Sequence, residues 1–257
     1  MTEDRLPWRA SLTLLLAASA TILAAGPASR RAAATAPATA AAAATAAATR
    51  PAPDRSTPTA ALAAYFDAQR RLNADDLQSL ITVTDPDKLQ YVQIVLNWML
   101  WTHAFERAAI AKFGPAGLKV LGYLRSQDDQ LALDARRLAH ADTEFSDDRS
   151  QATVFLPVEP DRPTGLQADR FFFLDTYTLR HTADGWRVDF LKTYDCADPA
   201  KESLYRFEAG AFPRLATAMK DLTDQLSATP QKFTSAAMLQ AAWDQHLNAI
   251  YTQVPDK

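Results

Sequence analysis

Residues 170–194 read RFFFLDTYTLRHTADGWRVDFLKTY, and this stretch decides the fold. Side chains alternate in character from Arg170 to His181 and again from Trp186 to Tyr194, the period-two signature of strands. Between the two runs, Ala183-Asp184-Gly185 supplies a tight turn, because Gly accepts the positive φ that short hairpin loops require. The two runs therefore pair as an antiparallel hairpin. Upstream, Ala141–Phe145 and Gln151–Val158 repeat the pattern around Asp147-Asp148, and Pro157, Pro160 and Pro163 crowd the loop that follows. Residues 140–195 thus predict an antiparallel sheet of about four strands.

Outside that sheet the spacing is helical. Thr57 can cap a helix with Pro58 in its first turn, and Leu62, Tyr65, Phe66, Gln69 and Leu72 follow at helical intervals. Asn73 breaks it, and a short second helix runs through Leu77, Leu80 and Ile81. Asp85-Pro86 opens a third that reaches about Phe113, where Gly114-Pro115 stops it. Between Tyr91 and Trp101 its only polar residues are Gln93 and Asn97. It is too short an apolar run to span a bilayer, so it predicts a helix buried on both sides. Shorter helices over Ala116–Leu124 and about Asp129–Ala139 complete a helical region, 86–139. Two more close the chain within 200–252: one from Lys201 to Leu226 with a bend at Pro213, then one from Thr234 to Tyr251. The fold class is α+β.

The amino-terminal part is different. Arg5 and Arg9 precede an apolar run from Leu12 to Ala25 bordered by small residues, the pattern of an export signal over 1–28. An uncleaved signal holding the chain to a membrane is the alternative. Residues 29–56 are Ala and Thr interrupted by Pro37, Pro51 and Pro53, with no apolar face to bury, which predicts a disordered spacer. A single domain, 57–257, remains.

Charge and motif content narrow the function. Six of the 27 basic and three of the 30 acidic residues precede Thr57, leaving 21 against 27 and a formal charge of −6 on the domain. No basic stripe offsets it, so nucleic acid is not an expected partner, and the mature domain is not expected to insert in a membrane. Seven glycines form no phosphate-binding or dinucleotide loop, and no G-x-S-x-G or H-E-x-x-H motif occurs, so no cofactor is called for. Cys196, the one cysteine, reads either as a redox thiol or as a small half-buried side chain.

Two stretches carry a resemblance. Thr57–Gln69 with Asn73–Leu77 is similar to the opening helix pair of the nuclear transport factor 2-like superfamily. The hairpin Thr176–His181, Ala183–Gly185, Trp186–Asp189 resembles that superfamily's closing strands. The resemblance implies a cone-like curved sheet wrapping the first helix, with Trp186 packed under it against Tyr65 or Phe66. Helices from Pro86 to Ala139, and the two at the carboxy terminus, lie outside its common core. That superfamily holds isomerases, dehydratases and hydrolases alongside non-catalytic binding and assembly modules, and no catalytic motif transfers residue by residue.

The residues themselves offer four candidates. Asp175 and Tyr177 alternate with Phe173 and Leu179; facing inward, they would line an apolar pocket with a carboxyl suited to proton transfer. With the opposite parity inward, Asp175 is solvated. His140, Asp142 and Glu144 would share one strand face and hold a divalent metal, or form a solvated face. His103 is a pocket histidine or one bonded inside the core. Trp98 and Trp101 stack a ligand or pack. The function expected is an exported, non-catalytic module binding an apolar ligand or a protein partner, a homodimer included. The alternative is a small enzyme acting on an apolar molecule in the cone.

Processing gives the first test. Mass spectrometry of the exported protein is expected to find its first residue between about Thr21 and Ala32. Intact cytoplasmic protein that begins at Met1 would overturn the signal reading.

Overall fold

Thr57 starts the first helix as its sequence requires: its hydroxyl accepts the Ala60 N–H at 3.1 Å, and Pro58 fills the first position of α1, Pro58–Arg70. The computed structural model describes residues 52–123, 125–157, 173–194, 202–229 and 231–252. Asn73 caps α2, Ala74–Leu80, through the Asp76 N–H at 3.0 Å. A two-residue strand follows, β1, Ile81–Thr82. Asp85 caps a 3-10 turn over Pro86–Lys88 that leads into α3, Leu89–Phe113. Beyond Gly114, α4 is Pro115–Leu118, and α5, Gln127–Arg137, is capped by the Ser126 hydroxyl.

The strands are β2, Asp142–Phe145; β3, Gln151–Pro157; β4, Phe173–Thr182; and β5, Gly185–Asp189. Their order is β1-β5-β4-β3-β2, an open sheet with β1 and β2 at its edges. All neighbours are antiparallel except β1 and β5, which pair in parallel through Ile81 with Val188 and Thr82 with Asp189. The sheet is therefore mixed, with five strands among the described residues rather than four antiparallel ones. A parallel neighbour needs a long crossover, and residues 86–140 with their helices provide part of it.

β5 also ends earlier than its alternation suggests. The Asp189 carboxylate accepts the Lys192 N–H at 3.3 Å and caps a one-turn helix, α6, Phe190–Thr193. The ladder on β4 is nevertheless completed. The Thr193 hydroxyl accepts the Thr178 N–H at 3.0 Å and donates to the Thr178 carbonyl at 3.1 Å. A side chain thus satisfies backbone groups that the lost strand would have served.

Ala152, Val154, Leu156, Tyr177, Leu179, Trp186 and Val188 are buried and share the sheet face that meets α1. Phe66 packs edge-on against Tyr177, ring centroids 5.3 Å apart. The Tyr65 and Tyr194 hydroxyls lie 2.7 Å apart. Trp186 sits against His181 and Phe145, at 5.0 and 5.8 Å, at the turn end of the sheet. Gly185 has φ +103°, and a Cβ there would stand 2.6 Å from the Arg55 carbonyl, so only glycine fits. That carbonyl accepts the Trp186 N–H at 2.9 Å.

The other layer is helical. α7, Glu202–Ala228, runs through Pro213 and lies along α3, while α8, Ala236–Tyr251, packs on α7. α3 buries one broad face rather than both sides, with Gln93 and Asn97 exposed on the other. Pro53–Lys257 forms one compact unit. The export signal, the spacer up to Pro51, the proline loop beyond Pro157, Phe171, Phe172 and Cys196 lie outside the described residues. Among those described, no helix is long and apolar enough to cross a membrane.

Strand parity alone puts Asp189 opposite Trp186 and makes it tolerant of change. The structure corrects this, because α6 folds over Asp189 and leaves it 0% exposed. Trp186→Ala is expected to cost about 3–5 kcal/mol through lost burial and a cavity. Asp189→Ala should cost about 1–2 kcal/mol through the lost cap. Thermal or denaturant unfolding checks both, and an unchanged midpoint for Asp189→Ala would contradict the capping role.

Candidate functional site

Asp175 opens the described burial pattern of β4, and its parity is the inward one: Asp175, Tyr177 and Leu179 are buried while Thr176 and Thr178 are partly exposed. A carboxylate inside an apolar layer needs a partner, since its charge loses hydration there. α5 supplies it. Arg137 donates from Nη1 to Asp175 Oδ2 at 3.3 Å and to Asp134 Oδ1 at 3.0 Å. Gln130 Nε2 donates to the same Asp134 oxygen at 2.9 Å. All three charged residues are at most 5% exposed.

Asp134 and Asp175 share the Arg137 guanidinium. Burial, and then the charge of Asp175, push the Asp134 pKa up to about 6, against the hydrogen bonds from Gln130 and Arg137. A buried carboxyl that titrates near neutrality is the chemistry of a proton carrier. Tyr177, however, is turned edge-on to Phe66 and forms part of the packing against α1.

A second polar cluster lies at the other end of α5. His103, Glu106 and Arg107 project from α3 towards the α5 amino terminus. His103 Nε2 is 3.1 Å from Asp128 Oδ1, and Arg107 grips both Asp128 oxygens and the Arg70 carbonyl of α1. Burial, then the nearby Arg107 charge, lower the His103 pKa, while Asp128 opposes them. The Arg107 hydrogen bonds hold Asp128 low. Glu106 is 1% exposed; its Oε1 accepts the Gln127 N–H at 2.7 Å. Its Oε2 is buried with no hydrogen-bond partner among the described residues. Burial chiefly, with Asp128 and Asp129 adding repulsion, raises its pKa to about 7. Burial also raises the nearby Tyr123 phenol.

The remaining candidates are placed elsewhere. Trp98 stacks on Phe212, ring centroids 4.5 Å apart and 7° from parallel, between α3 and α7. Its indole Nε1 is buried without a partner among the described residues. Trp101 is partly exposed under the Lys220 ammonium, 5.6 Å from the ring centroid. His140 is exposed in a 3-10 turn, Leu138–His140, rather than on β2, so it does not share a strand face with Asp142 and Glu144. The turn is closed by the Ala141 N–H, which donates to the Leu138 carbonyl before the chain extends. Among the described residues, no group of three His, Cys, Asp or Glu side chains could hold a metal ion.

Asp134, Arg137, Glu106, Arg107 and Asp128 were not singled out from sequence. A signal existed for the first pair: Leu131, Asp134 and Leu138 recur at helical spacing, which puts a carboxylate on the apolar side. The chain matches no protein-family model, no curated protein and no solved structure.

Arg137→Met tests the buried bridge. Removing one partner of a buried ionic group typically costs about 3–5 kcal/mol. The loss should be smaller near pH 5 than near pH 8, because protonation of Asp134 below about pH 6 removes one of the stranded charges. Melting curves at both pH values give the answer; an equal loss at each would show that Asp134 does not titrate in this range.

Proposed function

We propose that this chain is an exported, non-catalytic module that binds an apolar ligand or a protein partner through a fold akin to the nuclear transport factor 2-like cone. The observation that carries this reading is the way the inward groups are used. Asp175 is committed to Arg137, and Tyr177 to the edge of Phe66, so both sequence-selected side chains hold α5 and α1 on the sheet. His103 and Trp98 are likewise engaged within the core. The short strand Ile81–Thr82 ahead of the long helix supports the kinship, since that superfamily places a strand there. A small enzyme in the same cone is favoured by one observation, the inward parity of Asp175 and Tyr177 beside Asp134 with its pKa near 6.

The exported protein, purified without denaturation, is to be weighed by native mass spectrometry and by light scattering over a broad concentration range. An apolar molecule that co-purifies, or a mass above that of one chain, is the expected result. Bare monomer at every concentration would overturn the reading. If a small molecule co-purifies and is chemically altered on incubation, with the change abolished in Asp175→Asn, the enzyme reading replaces it.

A further inference from the structure

Helix α5 is poorly held by apolar contact. Of its 11 residues only Leu131, Asp134 and Arg137 are buried, and just one of these is apolar. Burial of one leucine contributes about 2 kcal/mol, little for a three-turn helix. What fixes α5 to the rest is polar and sits at its two ends. At its amino end Glu106 and Arg107 of α3 grip the Gln127 N–H and the Asp128 carboxylate. At its carboxy end Arg137 and Asp134 reach Asp175 of β4. Between these clasps α5 lies against α1 and β3.

We propose that α5 is a cover clasped at both ends by carboxyl groups, which stays shut in mildly acidic conditions and loosens as the pH rises past neutral. The groups that face Glu106 are His103 and Arg107 of α3, Tyr123, and Asp128 and Asp129 of α5. Those that face Asp134 are Arg137 and Gln130 of α5 and Asp175 of β4. At each clasp ionisation adds a negative charge beside another carboxylate, Asp128 next to Glu106 and Asp175 next to Asp134. The sign follows from linkage. Both carboxyls titrate higher when α5 is docked than when it is solvated, so docking binds protons and weakens as they leave, from about pH 5 to about pH 8. Opening separates Arg137 from Asp175.

Hydrogen exchange of the full chain, followed by mass spectrometry and corrected for the intrinsic pH dependence of exchange, tests it. Amides of α5 are expected to be protected less than those in the middle of α3 at every pH. Their protection should fall at least roughly tenfold between about pH 5 and about pH 8. Glu106→Gln, which imitates the protonated acid, should remove most of that fall, and Asp134→Asn should remove part of it. Either variant alone suffices should the other fail to fold. The proposal is overturned if α5 exchanges in step with α3, if wild-type protection in α5 is flat across this range, or if Glu106→Gln and Asp134→Asn keep the full dependence.

Discussion

The helix Leu89–Phe113 must cover one broad face, and the architecture follows from that constraint. A 25-residue helix with apolar side chains on most of its circumference has no stable place on a surface. α7 and α8 take one side of it, through the Trp98–Phe212 stack, the Tyr91 hydroxyl donating to Glu208 at 2.5 Å and the contact of Phe105 with Trp243. Its carboxy-terminal half is left to face α1 and α5, and there its side chains turn polar: His103, Glu106 and Arg107. Burial raises the Glu208 carboxyl of α7 as it does Glu106 of the helix itself. Apolar packing thus organises one layer, and ionic contacts join that layer to the sheet.

This division explains where the molecule is firm and where it is conditional. Contacts made by Leu, Phe and Trp do not depend on proton concentration, whereas buried carboxyls do, because a charge inside the protein is stable only with its partners in place. The sheet has its own ionic weak point in Asp189, held by Arg180 at 3.6 Å and by its role as a cap. Strain is avoided elsewhere by small residues, as where Gly117 lets the α4 backbone come up against Ala109, a position at which a Cβ would meet the carbonyl oxygen at 2.2 Å.

Two helix starts, Thr57 and Asp85, were legible because their chemistry is local, each bonding a backbone N–H two or three residues ahead. Asn73 and Ser126 do the same, yet their helices begin ahead of Asp75 and Asp129, where the acidic residues suggested a start. The hairpin was legible for the same reason, its turn lying between the runs it joins. β1 was not, since two residues carry no period and their extended form comes from pairing with Val188 and Asp189. Nor was the end of β5: Phe190–Tyr194 keeps an alternating pattern, but the Asp189 side chain stabilises a helical turn instead. The parity of β4 was undecided because apolar residues stand at both parities of its sequence, Phe173 and Leu174 among them. Asp175 is fixed by an arginine 38 residues away, and distance in the chain hides such a partner.

Arg55 gives the chain's beginning a mechanical role. Its carbonyl is bonded to the Trp186 N–H, and its guanidinium donates from Nη1 to the Ser79 carbonyl at 3.3 Å. A pull on the backbone ahead of Pro53 is therefore borne first by β5, an interior strand of the sheet, and by the end of α2. α1, the next element in sequence, is shielded from it. The load is spread through the ladder on either side of β5 instead of peeling a helix from its end.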